Sequence, residues 1–323
     1  MDILFIKLGA LGDVINTLPL AVTLKKQMNA NIHWLVAPLS YSLLSNHTAV
    51  DNVILFDKNS LKESFFDVRR QLKEIRFDIV LDLQRTLKSG SFTLLSNAER
   101  KIGFDKNRCK EMTWLFPFER IKTDNPAIHM LDQYMEFASH LGVAFCSKPE
   151  WDIPVFGKKP KNLPEKFIVL NIGATKKANK WLPAYFAELN DTIYEEFGVQ
   201  SVLTGGPEDV LFSEEIVALC RTKILNYTGK TTVGELTEIL RNAECAISCD
   251  TGPMHMAVAV GTKTIGLFGP STPERTGPYK SQVIQKIIEC SPCNNKECEI
   301  KEFEKPECMK LITPSDVVKK IML

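Results

Sequence analysis

The stretch DILFIKLGALGDVINTLPLA, residues 2–21, decides the fold of this chain. Its start, residues 2–7, predicts a strand, and a continuous apolar centre is typical of strands buried on both faces of a parallel sheet. A glycine-bearing turn follows at residues 8–13, and the segment from Val14 onward predicts a helix. Because open α/β sheets bind ligands at the carboxyl ends of their strands, this turn predicts a binding site that contains Asp13.

Asp13 has two interpretations. A carboxylate beside a helix N-terminus is stabilised as an anion, which suits a general base that must be ionised when substrate arrives. The alternative is that Asp13 only caps the helix, since aspartate is a preferred N-cap residue. The local pattern leaves both open.

Composition narrows the class of protein. The chain has 323 residues, 44% of them hydrophobic and 24% charged, as expected for a globular protein with two domains. The formal net charge of +1 argues against a nucleic-acid partner. The sequence has no run long enough to span a bilayer, and it begins inside a strand rather than a signal peptide. We therefore expect a cytoplasmic protein.

Two α/β halves are predicted, at residues 1–155 and 165–312, with a Pro- and Lys-rich linker at 153–164 and a terminal helix at 313–323. The strand candidates are 3–7, 32–36, 52–56, 78–83 and 101–104, then 167–171, 200–204, 224–226, 245–249 and 264–268. The helix candidates are 12–28, 61–75, 87–96 and 129–141, then 183–197, 208–220, 233–241 and 253–260. This alternation indicates a parallel sheet in each half, and ligands usually bind in the cleft between such halves.

The second half carries its own strand–turn–helix motif, SCDTGPMHMA at residues 248–257. A strand ends at Asp250, the chain turns through Thr251 and Gly252, and a proline stands near the first helical position. The N-terminus of such a helix is a natural seat for a diphosphate, and His255 in its first turn can donate to a phosphate or sugar hydroxyl. The alternative is an ordinary capped helix with a locally satisfied histidine.

Basic and small residues leave two neighbouring strands of this half. The segment GATKKANKWLP, residues 173–183, follows one strand, and GGPE, residues 205–208, follows the next. Their lysines and backbone donors suit phosphate oxygens. The alternative for residues 173–183 is a solvated basic loop, which is what most such runs are.

The motifs together resemble a known family. The segments are IKLGALGDV (6–14), TLP (17–19), DTGPMH (250–255), GLFGPSTP (266–273) and TGPY (276–279). In the same order along nearly the whole chain, they resemble motifs of glycosyltransferase family 9, the ADP-heptose:lipopolysaccharide heptosyltransferases. The resemblance implies a GT-B architecture, with two Rossmann-like, doubly wound domains facing across a cleft. It further implies an N-terminal domain that binds the acceptor and a C-terminal domain that binds the nucleotide sugar.

The resemblance also implies roles for individual residues. Asp13 matches the family's catalytic base. The donor-binding positions are Thr175, Lys180, Asp250, Thr251, Gly252 and His255. The family commonly reads Lys-Arg-Trp-Pro where this chain has NKWLP (179–183), so the phosphate lysine is assigned to Lys180, with Lys177 as the alternative.

The implied reaction is an inverting transfer of heptose from ADP-heptose to an inner-core lipopolysaccharide acceptor. The sequence contains no Asp-x-Asp pair to carry a divalent metal, so we expect no catalytic cofactor. On the acceptor side, Gly12, Arg85 and Lys88 are the candidates. Arg85 and Lys88 belong to a basic stretch, residues 84–110, that suits the phosphates and carboxylates of a lipid A–inner core acceptor. Such an enzyme would contact the inner leaflet peripherally, in a salt-sensitive manner. A solvated basic surface is the alternative.

Four of the nine cysteines lie close together near the C-terminus, at Cys290, Cys293, Cys298 and Cys308. A Cys-x-x-Cys pair with two further cysteines can form a tetrahedral thiolate site, so a structural zinc is expected within segment 290–308. Disulfides and free thiols remain alternatives.

Three other functions are alternatives to heptosyl transfer. A nicotinamide-dependent oxidoreductase would show Gly-x-Gly-x-x-Gly and an acidic residue after the second strand, but the turn has only Gly9 and Gly12, and VAP (36–38) ends that strand. A non-catalytic nucleotide-sugar-binding protein would not need Asp13. A transferase of the same fold with another nucleotide sugar and another surface glycan stays open.

Overall fold

Runs of buried apolar residues form two parallel sheets, and each has six strands within the residues described. The structure, a computed structural model, describes residues 1–123, 125–144, 148–300 and 306–321. The chain divides into two compact units, Met1–Phe156 and Gly157–Leu323, and each unit contains one of the sheets.

In the first unit the strand order is β3-β2-β1-β4-β5-β6. The strands are β1 (Asp2–Ile6), β2 (Asn31–Val36), β3 (Asn52–Leu55), β4 (Arg76–Asp82), β5 (Asn97–Gly103) and β6 (Glu119–Arg120). The helices are α1 (Leu11–Met28), α2 (Pro38–Ser45), α3 (Leu61–Glu74), α4 (Leu87–Leu95) and α5 (Met130–His140). The order reverses between β1 and β4, and this switch point is where open α/β sheets bind ligands.

The second unit has the order β12-β11-β10-β7-β8-β9, which places its switch point between β10 and β7. Its strands are β7 (Phe167–Asn171), β8 (Gln200–Thr204), β9 (Leu225–Asn226), β10 (Cys245–Cys249), β11 (Lys263–Phe268) and β12 (Gln282–Gln285). Its helices are α6 (Pro183–Phe197), α7 (Val210–Leu219), α8 (Val233–Arg241), α9 (Gly252–Ala259), α10 (Pro273–Thr276), α11 (Glu307–Lys310) and α12 (Pro314–Ile321).

Burial explains these strands. Every residue of β7 and β10 is buried, as expected for central strands covered by helices on both faces. Trp181 and Phe186 pack on the same core, with their ring centroids 4.9 Å apart. The Trp181 indole donates to the Ile312 carbonyl at 2.9 Å, which ties the C-terminal segment to this core.

Helix α2 and strands β6 and β12 were not predicted. The apolar residues of α2 do not keep to one face, since Leu39 and Tyr41 are exposed. The two strands have only two and four residues. The predicted helix 208–220 begins instead as a 3₁₀ turn at Pro207–Asp209 and becomes α-helical at Val210. Residues 301–305 of the cysteine segment and 322–323 of the terminal helix lie outside the described residues. None of the helices within the described ranges combines the length and apolar character that crossing a membrane requires.

Candidate functional site

Asp13 lies in the first turn of α1, directly after β1 and its turn. Its carboxylate oxygen Oδ2 is 3.0 Å from Nζ of Lys7, the residue that follows β1. The hydroxyl of Tyr134, on α5, donates to Oδ1 of Asp13 at 3.5 Å. The Asp13 side chain is 39% exposed, whereas that of Lys7 is 2% exposed. The carboxylate therefore stands between a buried cation and solvent.

The Lys7 ammonium is buried yet held in its charged form. Burial by itself would lower the pKa of Lys7, but the Asp13 carboxylate and Tyr134 outweigh it, so the pKa lies above its ordinary value. Asp82, at the end of β4, is also buried, and burial raises its pKa while hydrogen bonds and the Lys7 charge oppose that rise. An ammonium in this position favours the ionised form of the carboxylate beside it.

A cavity of about 600 Å³ opens at the same edge of the first sheet. Its walls are the segments that follow β1, β2, β3 and β4, at residues 8–10, 37–39, 56–59, 84, 86 and 88, together with Glu111. The Gly9 amide donates to Oε1 of Gln84 at 3.4 Å, which joins the two loops that flank the switch point. The cavity thus lies beside the turn that leads into Asp13.

The predicted acceptor residues are placed differently from one another. Lys88 lines the cavity, with Nζ 5.3 Å from the centroid of the Phe56 ring. Gly12 is buried in the first turn of α1. Arg85 is 7% exposed and is not among the cavity-lining residues. Its guanidinium lies 4.8 Å from the centroid of the Phe104 ring. Arg85 itself has a left-handed backbone, with φ of 66°, and its amide donates to the Asp82 carboxylate.

In the second unit, Asn179 joins three of the predicted loops. Its side-chain amide donates to Oδ2 of Asp250 at 3.3 Å and accepts from the Ser271 hydroxyl at 3.1 Å. The Thr175 amide donates to the Asp250 carbonyl at 3.4 Å. The loops after β7, β10 and β11 are thereby held together at the switch point. The asparagine that departs from the family's lysine pattern is buried and has this bridging role.

Of the two candidate lysines, Lys180 reaches the strand-end loops. Its Nζ is 2.7 Å from Oδ1 of Asp209, whose carboxylate is 3% exposed and also accepts from the Gly206 amide at 3.1 Å. Lys177 instead pairs with Glu297 at 2.9 Å. Asp209 was not predicted as a site residue. The feature that could have identified it is an acidic residue soon after the glycine pair that follows β8.

Helix α9 begins at Gly252, with Thr251 as its N-cap in an extended conformation. A proline stands in its first turn and His255 is buried at 8% exposure. The start of α9 therefore directs backbone N–H groups and a positive dipole toward the loop edge that carries Asp250 and Thr175.

The four C-terminal cysteines border one small cavity of about 20 Å³. Burial, with a smaller contribution from the nearby Cys290, Cys293 and Cys298, raises the pKa of Cys308 to about 11. In the part of the chain that the structure describes, no set of three or more His, Cys, Asp or Glu side chains is arranged to hold a metal ion. The expectation of a structural zinc therefore has no support.

The cysteine segment supports the switch-point loops instead. The Asn294 amide donates to the Pro270 carbonyl at 2.7 Å, in the loop after β11. The Ala178 amide donates to the Lys296 carbonyl at 3.1 Å, in the loop after β7. The segment therefore braces two of the loops that carry predicted donor-binding residues.

Residues 65–304 match the family model described as glycosyltransferase family 9 (heptosyltransferase). The lipopolysaccharide core heptosyltransferase OpsX of Haemophilus influenzae is 28% identical over 312 residues, which cover 93% of this chain and 86% of that protein.

Solved structures match over the whole chain. The family 9 glycosyl transferase of Veillonella parvula has a TM-score of 0.81 and 22% identity, covering 98% of this chain and 95% of its own. The E. coli heptosyltransferase WaaC with ADP has a TM-score of 0.81 and 20% identity, covering 100% of this chain and 99% of its own. The likeness confirms the predicted fold class, a GT-B architecture of two Rossmann-like domains.

The Lys7–Asp13 pair yields a prediction about stability. Asp13→Asn removes the charge that compensates a buried ammonium, so we expect the free energy of unfolding to fall by about 2–3 kcal/mol. The loss stays below the roughly 3–5 kcal/mol of a fully buried pair because Asp13 is partly hydrated. Urea unfolding followed by tryptophan fluorescence measures it.

The control is the double variant Lys7→Met, Asp13→Asn, which removes both members of the ion pair and should recover most of the lost stability. Single and double variants that unfold at the same urea concentration would show that the pair does not stabilise the fold.

Proposed function

Because this chain belongs to glycosyltransferase family 9, the heptosyltransferases, we propose that it transfers heptose from ADP-heptose to an inner-core lipopolysaccharide acceptor, with inversion and without a catalytic metal. Heptosyl transfer in general is the activity of its family and of the relatives it resembles. One observation carries the finer proposal. A partly exposed carboxylate, paired with a buried ammonium, stands at a ligand-binding switch point beside a cavity of about 600 Å³.

In the proposed reaction Asp13 acts as general base. It takes the proton of the acceptor hydroxyl as that oxygen attacks the anomeric carbon of the donor, and the bond from that carbon to the ADP phosphate oxygen breaks. Single displacement from the face opposite the leaving group inverts the anomeric centre. Lys7 keeps the carboxylate ionised before substrate arrives, and Tyr134 restricts its orientation through Oδ1.

The second unit would stabilise the departing diphosphate. Thr175, Lys180 and the N-terminus of α9 offer a hydroxyl, an ammonium and backbone N–H groups at one edge of the sheet. Donors fixed before the reaction stabilise developing negative charge at little reorganisation cost. Asp250, Thr251, Gly252 and His255 would contact the heptose and the phosphates.

The absence of Asp-x-Asp from the sequence supports the proposal that lysine and backbone donors act in place of a metal. The charge that a divalent ion would supply can come from Lys180 and from the dipole of α9.

The acceptor would occupy the cavity of the first unit. Lys58 and Lys88 on its wall suit the phosphates and carboxylates of a lipid A–inner core acceptor, and Asn59 and Gln84 suit sugar hydroxyls. Arg85 would act from behind the wall, through the turn that positions Gln84 and Lys88. The lipid part of such an acceptor would remain in the membrane, which the enzyme would contact peripherally.

A panel of ADP- and UDP-sugars, read by acceptor-dependent nucleotide release, tests the donor. The proposal predicts release with ADP-heptose and little with UDP-sugars. The relative with a solved structure is described as bound to ADP, which supports this choice. Turnover of a UDP-sugar in preference to ADP-heptose would contradict it.

Asp13 is tested most cleanly in the Lys7→Met background, where its loss does not strand a buried charge. There, Asp13→Asn should lower kcat by roughly 10²–10⁴-fold, the usual contribution of a positioned base. A double variant with the kcat of Lys7→Met would assign Asp13 a structural role only.

Lys7→Met by itself should change the pH dependence rather than abolish activity. Without the neighbouring ammonium, the acid limb of the kcat/KM profile should move to higher pH. At mildly alkaline pH the variant should approach the wild-type rate. An unchanged acid limb would show that Lys7 does not control the ionisation of the base.

Chelation tests the role of metal. EDTA should leave the initial rate of ADP release unchanged, because the proposed stabilisers are side chains and backbone N–H groups. A loss of turnover that Mg²⁺ restores would overturn this part of the proposal.

A further inference from the structure

The first unit exposes a group of large apolar side chains next to the acceptor cavity. Leu87, Met112, Trp114 and Leu115, the apolar cluster, are 51%, 54%, 38% and 67% exposed. They are linked in space, since the Leu87 amide donates to Oε2 of Glu111 at 2.9 Å. Grouped exposed apolar residues mark interaction surfaces more often than single ones do.

The backbone holds this cluster outward. Glu111 and Met112 both adopt left-handed conformations, with φ of 48° and 58°. Residues with a Cβ rarely adopt such conformations, and consecutive ones persist only where surrounding contacts impose them. A 3₁₀ turn at Thr113–Leu115 follows directly and carries Trp114.

Contacts beneath the cluster fasten it to the sheet. The Arg120 guanidinium, at the end of β6, donates to the Thr113 carbonyl at 2.7 Å and to the Phe116 carbonyl at 2.8 Å. The Phe116 ring packs on Gly90 of α4 so closely that a Cβ there would lie 2.2 Å from it. The cluster is therefore presented from a fixed base and does not fold back onto the unit's own core.

Positive charge accompanies the apolar side chains. The Lys106 ammonium lies 6.0 Å from the centroid of the Trp114 ring, and Lys110 is exposed beside Glu111. Lys88, the neighbour of Leu87, lines the acceptor cavity. The carboxylate of Glu111, which precedes Met112 in the chain, accepts from the Leu87 amide.

We propose that the apolar cluster, with Lys88 and Lys106, docks on an anionic lipid bilayer. Apolar and aromatic side chains would enter the headgroup boundary while the lysines contact lipid phosphates. Because Glu111 and Lys88 both line the cavity, the bilayer surface would lie at its mouth. The sugar of a lipid-linked acceptor could then enter while its acyl chains stay in the membrane. The entry of the acceptor sugar rests on the proposed function, whereas the docking of the cluster on a bilayer does not.

Charge favours the bilayer over a second copy of the chain. In a two-fold symmetric dimer the same patch would face itself, bringing the lysines of both copies into one interface. An anionic lipid surface complements those charges instead.

Vesicle binding tests the proposal in the full-length protein. The wild type should cosediment with phosphatidylglycerol-containing vesicles, should bind phosphatidylcholine vesicles much less, and should dissociate as salt is raised. Trp114→Ser with Leu115→Ser should weaken binding roughly 10- to 100-fold, and Lys106→Glu roughly 5- to 30-fold. Leu211→Ser, which changes an 81% exposed leucine of the second unit, is the matched control and should bind like the wild type.

Tryptophan fluorescence gives a readout that does not depend on variants. Trp114 is exposed, whereas Trp34 and Trp181 are buried and Trp151 is partly buried. Anionic vesicles should shift the emission to shorter wavelength, brominated lipid should quench it, and Trp114→Phe should remove most of both effects. A wild-type emission that anionic vesicles leave unchanged would overturn the proposal.

Two further outcomes separate the possibilities. A wild type that is dimeric at the assay concentration, and monomeric as Trp114→Ser with Leu115→Ser, would identify the cluster as a self-association face and contradict membrane docking. In transfer assays, that variant should lose activity on vesicle-embedded acceptor but keep it on a deacylated, water-soluble acceptor. If the wild type transfers heptose to neither acceptor, the proposed function fails while the vesicle data still decide the docking surface.

Discussion

The buried ammonium of Lys7 is the constraint on which the first unit's site depends. The charge of a buried lysine must be compensated, and Asp13 supplies the compensating charge from the first turn of α1. The carboxylate is thereby tied to one position, although it remains two-fifths exposed. A single ion pair links the stability of the turn after β1 to the chemistry we propose there.

The second unit fixes its loops with a neutral amide and an ion pair. At its switch point the buried Asn179 amide joins the loops after β7, β10 and β11, and the buried Asp209 carboxylate holds Lys180. Both units thus use a buried polar residue to fix loops that would otherwise be free to separate. Fixed loops suit a site that must present donors to a diphosphate without reorganising.

Much of the architecture could be predicted from sequence. The central strands β1, β7 and β10 are largely apolar runs, and turns rich in glycine or polar residues follow them. The strand, the loop and the helix could therefore each be predicted from the sequence. Helix α2 and strands β6 and β12 were not predicted, because the apolar residues of α2 do not keep to one face and the two strands have only two and four residues. Arg85 shows a second limit. Its place after a strand predicted contact with the acceptor, whereas a left-handed backbone at this residue accompanies a buried guanidinium.

By itself the sequence determined the two α/β halves, the family and the positions of Asp13, Lys88 and Asp250, because these follow from local order along the chain. Only the tertiary structure decided which partners these residues have. Lys7 with Tyr134, Asn179 with Ser271, and Glu111 with Leu87 each join segments whose pairing depends on strand order and packing. The sequence specifies the charge and size of each side chain. Which side chains come into contact depends on the strand order and on the packing of the helices, because the partners are far apart in the sequence.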